Sequence, residues 1–295
     1  MKKNNLLNEE ITIQIVMYEE NIDLIYKCLN NLKDFNVILI DNSGNKKLKL
    51  KIEENFQIFK YILNKKNEGF SRGHNKASQY CDSEYMLILN IDCFIGKKEI
   101  LNLLSSIKKY KDCIIISPTT YDENSKLSYN GGSLPENGES WGKKLTPLSL
   151  EGDVCVQSVL GSSMLIKKRD FVNLGLFDEN FFIWFSDDDL CRKIKNAKKS
   201  VIQSFYSKAY HVHGKGKVVN KLKKKFLREY NMTFDELYYF YKIKRHEEIF
   251  KKIKKKIPNY ILKVIINLFI FRIKKSIYYF SRILALNKFK KILYN

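Results

Sequence analysis

The sequence predicts an α/β fold: a sheet of largely parallel strands flanked by helices, followed by a basic, helical C-terminal extension. Three observations carry this. Short Ile- and Leu-rich runs alternate with amphipathic stretches from residue 11 to residue 118, the pattern of β-α-β units. Two of those runs end in a carboxylate, Asp41 and Asp92. The positive charge is concentrated at one end of the chain.

In order, ITIQIVM (Ile11–Met17) reads as a buried strand and NIDLIYKCLNNL (Asn21–Leu32) as the helix after it. NVILIDNS (Asn36–Ser43) is a second strand, with a helix over Lys46–Phe56 and a strand over Ile58–Asn64 behind it. Arg72–Cys81 is helical by period, and YMLILNID (Tyr85–Asp92) is the most emphatic strand. A helix near Lys97–Lys109 and the strand CIIISP (Cys113–Pro118) complete the alternation. Tyr121–Gly142 is polar and rich in turn residues, a hairpin with a loop on the acceptor side. Val156–Lys168 alternates like two strands about a turn at Gly161, and Arg169–Gly175 is a short helix. An aromatic run, Phe181–Phe185, then precedes a helix with Leu190, Ile194 and Ala197 on one face.

The totals exclude several classes. The six cysteines are scattered without a C-x-x-C pair, and no signal peptide is evident, so reduced thiols in a cytoplasmic protein are expected. The net charge of +21 suggests nucleic acid until its distribution is examined. Residues 1–214 carry 30 Lys and Arg against 27 Asp and Glu; residues 215–295 carry 23 against 5. A nearly neutral body with a basic tail, and no recognised nucleic-acid motif, argues against a nucleic-acid partner. The organisation expected is a domain over 1–216 and an extension over 217–295.

Candidate site residues cluster at strand ends and in four short motifs. Ligands of open α/β sheets bind outside the carboxyl ends of the strands, which suits Asp41 and the pair Asn90 and Asp92 in LNIDC. Asn and Asp are also ordinary turn residues there. Hard oxygen ligands, few in number, are what Mg²⁺ or Mn²⁺ takes when phosphates complete its shell. NEGFSRGHN (Asn67–Asn75) adds Gly69 and Gly73 for close backbone approach and Arg72 for phosphate charge. No G-x-G-x-x-G follows the first strand, so a dinucleotide-binding reading fails. YHVHGKG (Tyr210–Gly216) holds two of the four histidines, with Lys215 and Lys217 beside them. SDDD (Ser186–Asp189) has the form of a capped, acidic first helical turn, with Ser186 as the N-cap. Capping needs one oxygen, however, and three adjacent carboxylates beside an aromatic wall are candidates for raised pKa values and general-base work.

Taken in order, IVMYEEN, DNS, NEGFSRGHN, LNID, the stretch from Gly161 to Ala197 containing FFIWFSDDDLC, and YHVHGKG resemble the family 2 inverting glycosyltransferases of GT-A fold. The similarity is greatest to the rhamnosyltransferase-like branch that builds bacterial surface polysaccharides such as lipopolysaccharide and capsule, and it covers residues 10–245. It implies a mixed, Rossmann-like sheet and transfer from a nucleoside-diphosphate sugar, with a dTDP-linked deoxysugar such as rhamnose favoured, to a glycan or lipid-linked glycan. It implies Asp41 near the nucleobase, Asn90 and Asp92 at the metal–diphosphate position, His211 beside the Mn²⁺ or Mg²⁺, and Asp187 as catalytic base. Tyr18, Asn67, Gly69, Arg72, Asn75, Trp184 and Asp189 complete the implied donor-binding set. Two departures stand out: Ser186 where the family usually has Glu, and Asn90 where it often has a second acid. They leave room for a catalytically silent nucleotide- or glycan-binding protein of an assembly complex.

From Lys217 onward, lysine clusters alternate with large apolar residues. Lys263, Asn267, Lys274, Ser281 and Lys288 are spaced as one polar stripe of a helix. The apolar run Val264–Phe271 is far shorter than the roughly 20 residues of a spanning helix. An interfacial helix on anionic lipid at the inner face of the cytoplasmic membrane is expected; a helical hairpin packed on protein is the alternative.

Overall fold

The computed structural model describes residues 10–128, 131–135, 151–212 and 221–294. His213, Lys215, Lys217 and residues 129–130 and 136–142 of the expected Tyr121–Gly142 hairpin lie outside these residues. The chain divides into two compact units. One holds the sheet and its flanking helices; the other holds the last three helices together with Asn180–Phe185.

The first unit opens with β1 (Ile11–Met17), α1 (Ile22–Asn30), β2 (Asn36–Asp41), α2 (Lys46–Asn55), β3 (Lys60–Leu63) and α3 (Gly69–Ser78). It continues with β4 (Tyr85–Leu89), β5 (Cys93–Phe94), α4 (Lys97–Lys109), β6 (Cys113–Tyr121), β7 (Val154–Val156) and β8 (Ser163–Lys167), then α5 (Lys168–Asn173), α6 (Ser186–Asn196) and β9 (Ser200–His211). Asn21 and Asn45 cap α1 and α2, each side chain accepting from the first-turn N–H groups. The sheet order is β3-β2-β1-β4-β8-β6-β9-β5, with β7 also on β9. The strands β3, β2, β1 and β4 are parallel. The near-continuous burial of β2, β1 and β4 follows from helices covering both faces, which is why they read as unbroken apolar runs.

The other half of the sheet carries the antiparallel pairs that the family resemblance implies, with β5 and β7 both antiparallel to β9. β8 lies antiparallel between β4 and β6, so the sheet is mixed. The sequence reading passed over β9. Its 12 residues include Gln203, Ser204 and Ser207 at buried positions, which breaks the apolar pattern that marks a strand. Their oxygens find partners to the side: Gly131 N–H donates to Gln203 Oε1 (2.7 Å), Ser204 Oγ donates to Asp153 Oδ1 (2.9 Å), and Ser207 Oγ donates to the Glu99 carbonyl (2.9 Å). The register with β6 jumps at Pro118/Thr119, leaving Phe205 and Tyr206 exposed in a bulge.

α3 begins at Gly69, three residues before the expected start. Gly69 has φ +83°, a conformation open to glycine, and Asn67 Oδ1 accepts its N–H at 3.0 Å. At Gly73 the close approach is to protein: a Cβ there would lie 2.8 Å from both methyls of Val16, so glycine lets α3 seat against β1.

The second unit contains α7 (Lys221–Lys242), α8 (His246–Phe269) and α9 (Ile273–Tyr294). Its core is Phe181, Phe185, Leu237, Tyr239, Phe240, Ile249, Ile253, Leu286 and Phe289. Asp235, fully buried on α7, accepts the backbone N–H groups of Phe182, Ile183 and Trp184 at 2.9–3.1 Å and so fixes the aromatic run. Arg282 holds Glu229 through two nitrogens, at 3.0 and 2.7 Å. The expected single polar stripe does not form. The chain reverses between α8 and α9, with Phe271 at φ +52°, and Asn267 and Ser281 are buried rather than facing water.

Candidate active site

Three segments of the first unit converge at the carboxyl ends of the central strands. The first is the turn Asn90–Asp92 between β4 and β5. The second is β9, whose register pairs Cys93 with His211. The third is the loop Ser158–Ser162 between β7 and β8, which meets the first turn of α6. Asn90 N–H donates to the Ser162 carbonyl (2.8 Å), and Gly161 N–H donates to Asp187 Oδ2 (2.8 Å). One loop therefore ties the strand end bearing Asn90 and Asp92 to the carboxylate of Asp187.

The β5–β9 pairing brings together side chains 119 residues apart. Asp92 Oδ1 and His211 Nε2 are separated by 3.1 Å, and Val212 N–H donates to the Asp92 carbonyl (3.0 Å). Two ligands at adjacent positions of a small divalent ion, each about 2.1 Å from it, lie about 3 Å apart. The Asp92–His211 spacing fits that requirement. Among the described residues no group of three or more His, Cys, Asp or Glu side chains is gathered, so such an ion would complete its shell from water and phosphate.

Asp187 is half-buried, and both of its oxygens are held: Oδ2 by Gly161 N–H and Oδ1 by Asp188 N–H at 3.1 Å. Burial pushes its carboxyl above the usual range, against the pull of these donors. A Cβ on Gly161 would stand 3.0 Å from Phe70 Cζ and 3.4 Å from Asp187 Oδ2, so glycine permits this close approach. Asp188 is buried and accepts from Ser158 Oγ at 2.6 Å. Burial, then the adjacent Asp187 charge, pushes it to about 8. Ser186 is the first residue of α6 rather than the one before it, and is itself buried.

The other expected residues divide. Asp41 stands at the carboxyl edge as expected but is fully buried. Its Oδ1 accepts Ser43 N–H (2.8 Å) and its Oδ2 accepts Tyr61 Oη–H (2.7 Å); burial, then this bond, raises the Tyr61 hydroxyl. Tyr18 is half-buried just past β1. Asn75 is a clamp: its amide donates to the Phe177 carbonyl (2.9 Å) and accepts Phe177 N–H (3.1 Å). Arg72 is exposed and faces Glu179 at 3.6 Å. Asp189 is buried with Lys193 at 3.9 Å. Trp184 belongs to the second unit, its N–H held by Asp235. His74, between Phe70 and Phe177, is fully buried and held neutral by desolvation, its pKa lowered to about 3. Sequence reasoning missed Ser158 and Asp235, and read Gly161 only as a turn. The local signal for the loop was a Gly-Ser-Ser step between two apolar runs.

Residues 12–158 match the profile of Glycosyl transferase family 2. The chain carries a family 2 glycosyltransferase domain. The low-salt glycan biosynthesis hexosyltransferase of Haloferax volcanii is 26% identical over 220 residues, 71% of this chain and 69% of its own. Rhamnosyltransferase WbbL of Escherichia coli is 24% identical over 258 residues, 76% of this chain and 96% of its own. The crystal structure of GalNAc-T7 with UDP, GalNAc and Mn²⁺ superposes with a TM-score of 0.59 at 18% identity. That match covers 69% of this chain and 44% of the other, so this chain spans less than half of that protein. The shared architecture is the GT-A fold. The family profile ends at residue 158, before β8, α6 and β9.

Proposed function

We propose that this glycosyltransferase moves a sugar, with inversion, from a nucleoside-diphosphate sugar to a hydroxyl of a glycan acceptor in cell-surface polysaccharide synthesis. Asp187 takes the proton of the acceptor hydroxyl. The acceptor oxygen forms a bond to the anomeric carbon from the face opposite the leaving group, and the anomeric carbon–oxygen bond breaks. Its electron pair goes to the phosphate oxygen of the departing nucleoside diphosphate. Asp92 and His211 would hold a divalent cation, Mn²⁺ or Mg²⁺, which when bound supplies positive charge against the developing diphosphate. A dTDP-linked deoxysugar such as rhamnose is the favoured donor, because rhamnosyltransferase WbbL is among the relatives. Lipid-linked glycan is the favoured acceptor, with the basic helical segment from residue 217 docking the enzyme on the anionic inner face of the membrane.

One observation carries the reading: the Ser158–Ser162 loop is hydrogen-bonded both to the Asn90–Asp92 turn and to Asp187, and Asp92 meets His211 at 3.1 Å. The Asp92–His211 spacing supports the metal, and the raised Asp187 carboxyl supports base catalysis at neutral pH. The test incubates purified protein with UDP-, GDP- and dTDP-sugars in Mn²⁺, with and without chelator. The product's anomeric configuration is then read by NMR. Transfer with inversion, lost on chelation, is expected. Tight donor binding without turnover under all conditions would instead indicate a binding protein, and a retained configuration would remove Asp187 as the base.

A further inference from the structure

The turn between α8 and α9 has its polarity reversed relative to a water-soluble helix pair. Toward the end of α8 the buried side chains include Asn267, 8% exposed, while Leu262, Ile265, Ile266 and Leu268 face outward. At the turn, Phe269 is 85% and Phe271 89% exposed, with Ile270 and Ile273 beside them. The polar groups are satisfied internally. Asn267 Nδ2 donates to the Lys263 carbonyl (2.7 Å), Ser276 Oγ to the Val264 carbonyl (3.1 Å), and Arg272 N–H to the Asn267 carbonyl (2.7 Å). Polar atoms turned inward and paired, with apolar side chains turned outward, is the arrangement hydrocarbon requires and water opposes. Large contiguous apolar patches are uncommon on soluble monomers and mark interaction surfaces.

The surrounding charge selects the partner. Residues 249–295 contain thirteen Lys and Arg and no Asp or Glu. Arg272, Lys274 and Lys275 are exposed at the turn itself, and Lys254 and Lys255 are exposed further up α8. A second copy pairing through this surface would oppose cation to cation without a compensating acid. An anionic phospholipid surface meets both needs, apolar burial and counter-charge. The dimensions limit the depth. From Ile261 to Phe269 a helix advances about 12 Å, less than half of a hydrocarbon core about 30 Å thick. No helix among the described residues is long and apolar enough to cross a membrane.

We propose that the α8–α9 turn is a membrane wedge. Phe269 and Phe271 enter the acyl boundary of one leaflet, while Arg272, Lys274 and Lys275 reach back to lipid phosphates. This deepens, and rests on, the membrane reading of the basic segment. It replaces a helix lying flat on the surface with a hairpin that enters end-on at its turn.

The experiment uses the full chain and vesicles of phosphatidylcholine with or without phosphatidylglycerol. Phe269→Ser/Phe271→Ser is expected to lower partition onto anionic vesicles about a hundredfold, from the lost burial of two aromatic side chains. The melting temperature should stay unchanged, since neither ring touches the core. Phe271→Trp should show added emission, relative to the parent, that shifts to the blue on anionic vesicles and is quenched by lipids brominated on the acyl chain. Salt-sensitive binding with the double variant unaffected and the new tryptophan unquenched would overturn the wedge while leaving surface docking in place. No binding of the parent chain to anionic vesicles would remove the membrane reading itself.

Discussion

Replacing Asp188 by Asn should change how stability depends on pH, and the size of the change follows from the site. Asp188 is buried and accepts from Ser158 Oγ at 2.6 Å. The charged groups acting on it are Asp187 and Asp189, which raise its pKa, and Arg192, which lowers it; desolvation is the largest influence. Its carboxyl moves from 3.8 to about 8, so between those values the folded chain keeps a proton that the unfolded chain has released. The linkage sign is then fixed. Stability from this group is fully present below pH 4 and falls as pH rises, by about 1.4 kcal/mol per unit, until the folded group ionises near pH 8. Over the window the loss is of the order of 6 kcal/mol, shared with Asp187 because the two titrate as a pair. Asparagine resembles the protonated acid in shape and can still accept from Ser158, but it carries no proton to lose. The two proteins should therefore be equally stable near pH 4, and the variant should be increasingly the more stable toward pH 8. Denaturant unfolding of both at each pH measures this directly, and subtracting the curves cancels the other titrating groups. A difference that stays flat from pH 4 to 8 would refute the reasoning and mean that the Asp188 site is wet.

Asp187→Asn should lower kcat by about a hundredfold to ten-thousandfold, measured by donor turnover, while calorimetric donor affinity stays within a few-fold. Its NH₂ must meet either Gly161 N–H or Asp188 N–H, so a melting curve belongs with the assay. Gly73→Ala should destabilise the fold by about 1–3 kcal/mol through overpacking against Val16, and Val16→Ala in the same chain should restore most of the loss in a double-mutant cycle. Asp235→Ala removes the carboxylate that holds three part-buried backbone N–H groups and should cost about 3 kcal/mol. Asp235→Asn should cost less, because an oxygen at the Oδ2 position still serves Ile183 and Trp184; equal losses by thermal unfolding would contradict the cap.

The parallel half of the sheet was legible because its cause is local. ITIQIVM, NVILID and YMLIL are buried on both faces, so each residue reports its own environment. The positions of Asp41 and Asp92 at strand ends followed from that pattern. What was illegible depends on distant partners. β9 buries Gln203 and Ser204 because Gly131 and Asp153 supply their hydrogen bonds, and no local pattern carries that information. The nearness of Asp92 to His211, implied by the family resemblance, is carried by no local pattern either; it comes through the β5–β9 register. The polar stripe of the tail was a correct spacing read with the wrong environment: Asn267 faces inward because the chain folds back at Phe271. The local form of SDDD as an acidic first turn was also correct. What distinguished Asp187 was the loop at Gly161, in contact with it across 26 residues of chain.

The insertion of β8 between β4 and β6 has a consequence for how the chain emerges from the ribosome. β6 ends at Tyr121, and the strand that must lie between it and β4 begins only at Ser163. During that interval of synthesis β4, buried along its whole length in the finished protein, has an open hydrogen-bonding edge on one side. An apolar edge of this kind invites pairing with other chains. Met164, Leu165 and Ile166, fully buried once in place, are the residues that close it. The family profile stops at residue 158, so the match ends five residues short of the strand that closes this edge.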